Sequence, residues 1–133
     1  MLQANNFFNI PSPLQKLNLS EFGITKHEVW IKRDDLIHSI VSGNKWRKLK
    51  NNIDAFLTSQ KDQIVSMGGA YSNHLLALSF ICNKYKIENT IFVRGEKPKE
   101  LNDILVACDS YSSKLIFLER RQYSNQNWIN HFL

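Results

Sequence analysis

Two short segments hold the residues best suited to chemistry. The first, Gly68-Gly69-Ala70-Tyr71-Ser72-Asn73-His74, sets two glycines beside a hydroxyl, a carboxamide and an imidazole. Glycines permit tight backbone turns, and Ser72 or Asn73 can cap a helix that follows. The free N–H groups at such a helix start attract a carboxylate or a phosphate. Taken alone, the same residues also fit an ordinary helix cap with no ligand. The second segment, Ser42-Gly43-Asn44-Lys45-Trp46-Arg47-Lys48-Leu49-Lys50, is basic. Such stretches are most often solvated helix faces, and otherwise contacts for phosphate or nucleic acid. On its own, Lys45 reads as a surface lysine.

The elements that must position these segments follow from the apolar spacing. Residues 1–23 carry Pro11, Pro13 and several Asn, and read as an extended arm with little regular structure. Val29-Trp30-Ile31 is a short apolar run that Lys32-Arg33-Asp34-Asp35 ends with charge, a strand running into a polar loop. Ser42-Gly43-Asn44 is a turn and cap cluster. Trp46, Leu49, Ile53, Phe56 and Leu57 then recur at spacings of three and four, which predicts one face of a helix. Ile64 to Met67 is a short buried strand halted by the glycine pair. The segment from Asn73 to Tyr85 is apolar nearly all round, as suits a helix covered on several sides. Thr90 to Val93 is another strand, Leu101, Ile104, Leu105 and Cys108 a third helical stripe, and Leu115 to Leu118 a further strand. Asn125 to Leu133 begins a last helix. Alternating strands and helices imply βαβ units and an open parallel sheet, an α/β fold. Ligands of such sheets bind beyond the carboxyl ends of the strands, where the loop after Met67 falls.

Composition narrows the functional classes. The 133 residues suffice for one compact domain, and 43% hydrophobic with 22% charged residues is a globular balance. The N-terminus shows neither a basic n-region nor an apolar h-region, so the expected location is cytoplasmic. Leu75 to Cys82, interrupted by Ser79, is too short to span a bilayer. Cys82 and Cys108 lack metal-ligand spacing and read as reduced, buried residues. His27, His38 and His131 show no ligand pattern, and no metal site is expected. A net charge of +5 points weakly to an anionic partner. Nucleic acid is a poor candidate, because the aromatics are not interleaved on a basic sheet.

The two segments together carry a resemblance. Ile31-Lys32-Arg33-Asp34-Asp35-Leu36 followed by Ser42 to Leu49 resembles the lysine segment of the 1-aminocyclopropane-1-carboxylate deaminase and D-cysteine desulfhydrase family. These are pyridoxal-phosphate enzymes of the tryptophan-synthase-beta-like fold. Gly68 to His74 resembles the family's substrate and cofactor loop. Pro11 to Leu17 resembles its opening segment, and Arg94-Gly95-Glu96 the end of its next strand. The match runs from about Ser12 to Tyr123.

The resemblance implies that Lys45 forms the Schiff base with pyridoxal 5′-phosphate. That bond needs a neutral amine, although lysine ordinarily titrates near ~10.4. A helix N-terminus and the neighbouring Arg47 and Lys48 both disfavour a further positive charge there. Asn73 would hydrogen-bond the cofactor's 3′ oxygen, and Asn44 would help position its phosphate. Ser72 would stand near the substrate carboxylate and the lysine as a proton carrier or orienting group. The run Tyr71, Ser72, Asn73 and His74 would bind substrate, with the backbone N–H groups of Tyr71, Ser72 and His74 cradling the carboxylate. The His74 ring has no role in this reading, but histidine at this position leans towards the desulfhydrase side of the family.

The implied substrate is a small amino acid, D-cysteine or 1-aminocyclopropane-1-carboxylate, converted to a 2-oxo acid and ammonia. Residues 1–41 would be an arm and strand packing on a large domain, and residues 42–133 a small αβ domain. Family members are much longer. The resemblance therefore implies that a C-terminal half with the phosphate loop is missing, supplied if at all by further chain, a partner chain or a homo-oligomer. The chain alone is then expected to be inactive. The alternative is a non-catalytic remnant, or a module binding a partner chain or nucleic acid.

Overall fold

Short continuous apolar runs form the strands of the larger sheet, and three-to-four spacing forms the long helix before it. The computed structural model describes residues 7–24, 26–41 and 43–125. The chain divides into two compact units, Met1–Asp54 and Ala55–Leu133.

In the first unit, β1 (Leu14–Leu17) runs antiparallel to β2 (Val29–Lys32), with Leu14 opposite Lys32 and Leu17 opposite Val29. The stretch expected to be irregular thus contains a strand. Leu-Gln-Lys-Leu has little alternation of its own, and its order comes from pairing with β2. Short 3-10 turns follow at Ser20–Phe22 and Asp34–Leu36. Helix α1 (Gly43–Leu57) begins where the cap cluster predicts, with Gly43 at a φ of +54° that favours glycine. Trp46, Leu49 and Ile53 are buried, and the Trp46 ring lies 3.9 Å, centroid to centroid, from Phe8. The helix runs three residues past the end of this unit, and there the stripe weakens, with Leu57 45% exposed.

The second unit is a three-stranded parallel sheet in the order β3 (Gln63–Gly69), β4 (Glu88–Arg94), β5 (Lys114–Leu118). Met67 pairs with Phe92, and Phe92 with Ile116. Helices α2 (Asn73–Tyr85) and α3 (Asp103–Ser110) connect the strands, and α4 (Arg120–Ser124) follows β5. This is the open parallel α/β arrangement that the alternating pattern implies. Central β4 is buried from Asn89 through Val93. Leu75 of α2, Ile91 and Val93 of β4, and Leu105 and Cys108 of α3 form one core cluster. Burying each large side chain there contributes about 1.5–3 kcal/mol.

Cys82 and Cys108 are free and buried within this unit. Burial pushes the Cys82 thiol up to about 12 and the Cys108 thiol in the same direction, so both stay protonated core residues. Helix α4 has no counterpart in the sequence expectations. The helix expected from Asn125 lies, beyond Asn125 itself, outside the described residues. Among the described residues no helix is long and apolar enough to cross a membrane.

Candidate functional site

In the first unit, Lys45 stands in the first turn of α1, half-buried, and its amine makes no ion pair or hydrogen bond among the described residues. Asn44 beside it is exposed. Arg47, one turn of chain away from the loop before α1, donates Nε and Nη2 to the two Asp34 oxygens at 2.9 Å each. Ser12 Oγ also donates to Asp34, at 2.5 Å. Arg47 first and Ser12 second hold the Asp34 carboxyl down to about 2. Lys32 donates to the Ser12 carbonyl at 3.0 Å, and Arg33 pairs with Asp35 at 2.6 Å. The charged stretch after β2 is therefore a network that clasps the start of α1. The Arg47 charge is answered by Asp34, and so weighs on its surroundings less than its position in the sequence suggests.

In the second unit, the loop between β3 and α2 is built on close contact. A Cβ placed on Gly68 would stand 2.9 Å from Leu75 Cδ2, so glycine lets the end of β3 approach the first turn of α2. Ser72 is the N-cap of α2, as the sequence allows. Its hydroxyl accepts from the His74 N–H at 3.3 Å, and its own N–H donates to the Gly69 carbonyl at 3.0 Å. Of the three N–H groups expected to receive a carboxylate, those of Ser72 and His74 thus have partners inside the loop. Tyr71, 80% exposed, has no hydrogen-bond partner for its N–H among the described residues. The Asn73 carboxamide is exposed and likewise makes no hydrogen bond among them.

Two contacts tie this loop down that the sequence reading did not single out. The His74 ring Nε2 and Ser66 Oγ of β3 are 3.0 Å apart, which fixes the first turn of α2 against the sheet. Asn102 caps α3 by accepting from the Leu105 N–H at 3.0 Å, and its amide nitrogen donates to the Ala70 carbonyl at 3.2 Å. An Asn just ahead of Asp103-Ile104-Leu105 is a cap signal, and could have been found. Its reach to Ala70 depends on how α3 folds back, which no local pattern shows.

At the carboxyl ends of β3 and β4 the same loop borders an open cleft of about 420 Å³, lined by Gly69, Ala70, Tyr71, Ser72, Arg94, Gly95 and Arg120. Among the described residues no group of three or more His, Cys, Asp or Glu side chains could hold a metal ion. Taken each in its own unit, the Lys45 amine has the chemistry to form a Schiff base and the Asn73 carboxamide to donate a hydrogen bond, the kinds of group that pyridoxal phosphate needs, and neither has a partner among the described residues.

No protein-family model matches the chain. It is 35% identical over 105 residues to a Thermotoga maritima protein provisionally named a 1-aminocyclopropane-1-carboxylate deaminase, covering 74% of this chain and 33% of that protein. It is 32% identical over 90 residues to the mitochondrial bifunctional D-cysteine desulfhydrase/1-aminocyclopropane-1-carboxylate deaminase of Arabidopsis thaliana, covering 67% of this chain and 22% of that protein. A solved structure of a 1-aminocyclopropane-1-carboxylate deaminase homologue superposes with a TM-score of 0.68 at 25% identity, over 84% of this chain and 34% of that one. The chain therefore spans at most about a third of the length of these relatives. Over that span it is a homologue of the pyridoxal-phosphate-dependent 1-aminocyclopropane-1-carboxylate deaminase and D-cysteine desulfhydrase family.

Proposed function

We propose that this chain carries the cofactor lysine and the substrate loop of a pyridoxal-phosphate-dependent deaminase or lyase. Its substrate is a small amino acid of the D-cysteine or 1-aminocyclopropane-1-carboxylate type, and its products are a 2-oxo acid and ammonia. The observation that supports this best is the Lys45 amine in the first turn of α1, within the family's lysine segment and without a partner among the described residues. When bound, pyridoxal phosphate supplies an electron sink for bond cleavage at the substrate α-carbon. Lys45 holds the cofactor, and its amine then takes up and returns a proton at substrate carbon. Asn73 donates to the cofactor ring oxygen, and Asn44 helps hold the phosphate. Ser72 orients the substrate, and the Tyr71–His74 run receives its carboxylate. Residues 1–41 act as an arm packing on further protein of the kind the longer relatives contain, and residues 42–133 form the small domain.

Borohydride reduction in the presence of pyridoxal phosphate, followed by peptide mapping, tests the assignment. The preparation should include the segments that the longer relatives possess, on the same or a second chain. The label is expected on Lys45. Lys48 is exposed, and Lys50 is paired with Asp54 at 3.4 Å, so both serve as internal competitors. Predominant label on either would sink the proposal.

A further inference from the structure

The turn that leads into α1 is held together by an imidazole. His38 Nδ1 accepts the backbone N–H of Ile40 at 3.0 Å and that of Val41 at 3.2 Å. The ring serves residues 38–41 as an Asn carbonyl serves an Asx turn, by accepting from the backbone just ahead of it. A neutral imidazole can do this only with its proton on Nε2. The residues on either side anchor the segment. Ile37 is buried and its carbonyl accepts the Asn9 N–H at 2.9 Å, and Val41 is fully buried. The ring itself is half-buried against Phe7 and Phe8, with centroids 4.8 and 5.5 Å away. Phe8 lies in turn on Trp46, the residue after Lys45. His38 thus reaches the start of α1 by two routes, along the chain through Val41 and across the stacked rings.

We infer that His38 is a positioning residue with a proton switch: its neutral imidazole holds the 38–41 turn, that turn sets where Lys45 stands, and uptake of a proton releases it. This rests on the reading that Lys45 carries the cofactor. A proton on Nδ1 turns the acceptor of two N–H groups into a donor that faces two donors, so both bonds are lost together. Histidine is the side chain whose charge ordinarily changes between about pH 5 and 8. Phe7 and Phe8, packed on the ring, carry no charge. The charged groups on the adjoining elements are Asp34 and Asp35 of the 3-10 turn, bound by Arg47 and Arg33, and Lys45, Arg47 and Lys48 of α1. Asp34 takes up its proton only at about 2, so the two events separate on the pH scale.

The test compares the isotope-labelled full chain with His38→Asn, whose carbonyl accepts from the amide two residues on without titrating. Between about pH 7.5 and 5.5 the Ile40 and Val41 amides of the parent should lose about two- to tenfold of their protection from hydrogen exchange, and those of His38→Asn should keep theirs. The Lys45 amide and Trp46 indole signals should shift with the imidazole's own transition in the parent and stay in place in the variant. Unchanged β3, β4 and β5 amides show that each chain keeps its fold. Equal loss of protection in the two chains overturns the switch, and Lys45 and Trp46 signals that ignore the imidazole overturn the positioning. Imidazole nitrogen shifts of the parent give a reading that needs no variant, and a neutral ring with its proton on Nδ1 overturns the proposal outright. The place of the borohydride label is a separate measurement. Label on Lys48 or Lys50 removes Lys45 as the cofactor residue, while the amide result still decides the turn and its proton.

Discussion

At the scale of single residues, the most strongly committed charge in the described chain is Asp34, and its chemistry sets a pH dependence. Arg47 and Ser12 hold its carboxyl at about 2, below the ordinary value of 3.8. A depressed carboxyl stabilises the fold above its unfolded value and loses that contribution as the pH falls through its folded one. The first unit should therefore lose stability between about pH 4 and pH 2, with Asp34→Asn showing a smaller loss across the same window. Thermal melts of both chains at pH 7, 4 and 2 check this, and equal acid sensitivity would remove Asp34 from the account. Candidate site residues were unevenly legible at this scale. Lys45, Ser72 and Asn73 stood out because their segments match a family pattern in order. Arg94 was seen only as the end of a strand, and Arg120 not at all. What unites those two is a cleft between the ends of β4 and α4, residues 26 positions apart by their numbering, and no spacing in the sequence signals that meeting.

Among the elements, the β3–α2 connection has the least tolerance, because backbone approach rather than side-chain chemistry shapes it. Gly68→Ala pushes a methyl into Leu75, which is fully buried in the core cluster and cannot swing aside. Overpacking of this kind costs about 1–3 kcal/mol. Gly69→Ala should cost much less, since its nearest neighbour is an Arg94 nitrogen at 3.8 Å. Urea unfolding of the two variants separates them, and equal midpoints would show that α2 yields to the added methyl. Elements with strong periodicity were readable without a structure. Helix α2 spans Asn73–Tyr85 as its apolar pattern indicates, and β3, β4 and β5 extend the three short apolar runs by a residue or more. Strand β1 was not readable, because Leu14 to Leu17 is ordered by its partner strand and not by a pattern of its own. Helix α4 is five residues long, less than two turns, and offers no periodicity to detect.

For the whole molecule, the decisive quantity is how much of an active site this length of chain can hold still. The first unit leaves Leu14 62%, Trp30 50% and Ile31 40% exposed on a two-stranded sheet, an element that is marginal by itself in water. That exposure is in keeping with an arm that packs on further protein. Catalysis on a cofactor requires the reacting atoms to be held to within about half an ångström, and a single lysine linkage with several rotatable bonds does not do that. In the proposed reading, the main grip on the cofactor phosphate and the partner of its ring nitrogen belong to the part of the relatives that this chain does not span. The purified chain with added pyridoxal phosphate should therefore convert D-cysteine to pyruvate no faster than its Lys45→Ala variant. Free cofactor reacts with D-cysteine unaided, so only the difference between the two chains carries information. A robust Lys45-dependent rate would overturn the expectation. It would also have a specific structural meaning: copies of this chain would have to assemble so that one supplies the phosphate grip the other lacks, and the rate would then rise faster than linearly with chain concentration.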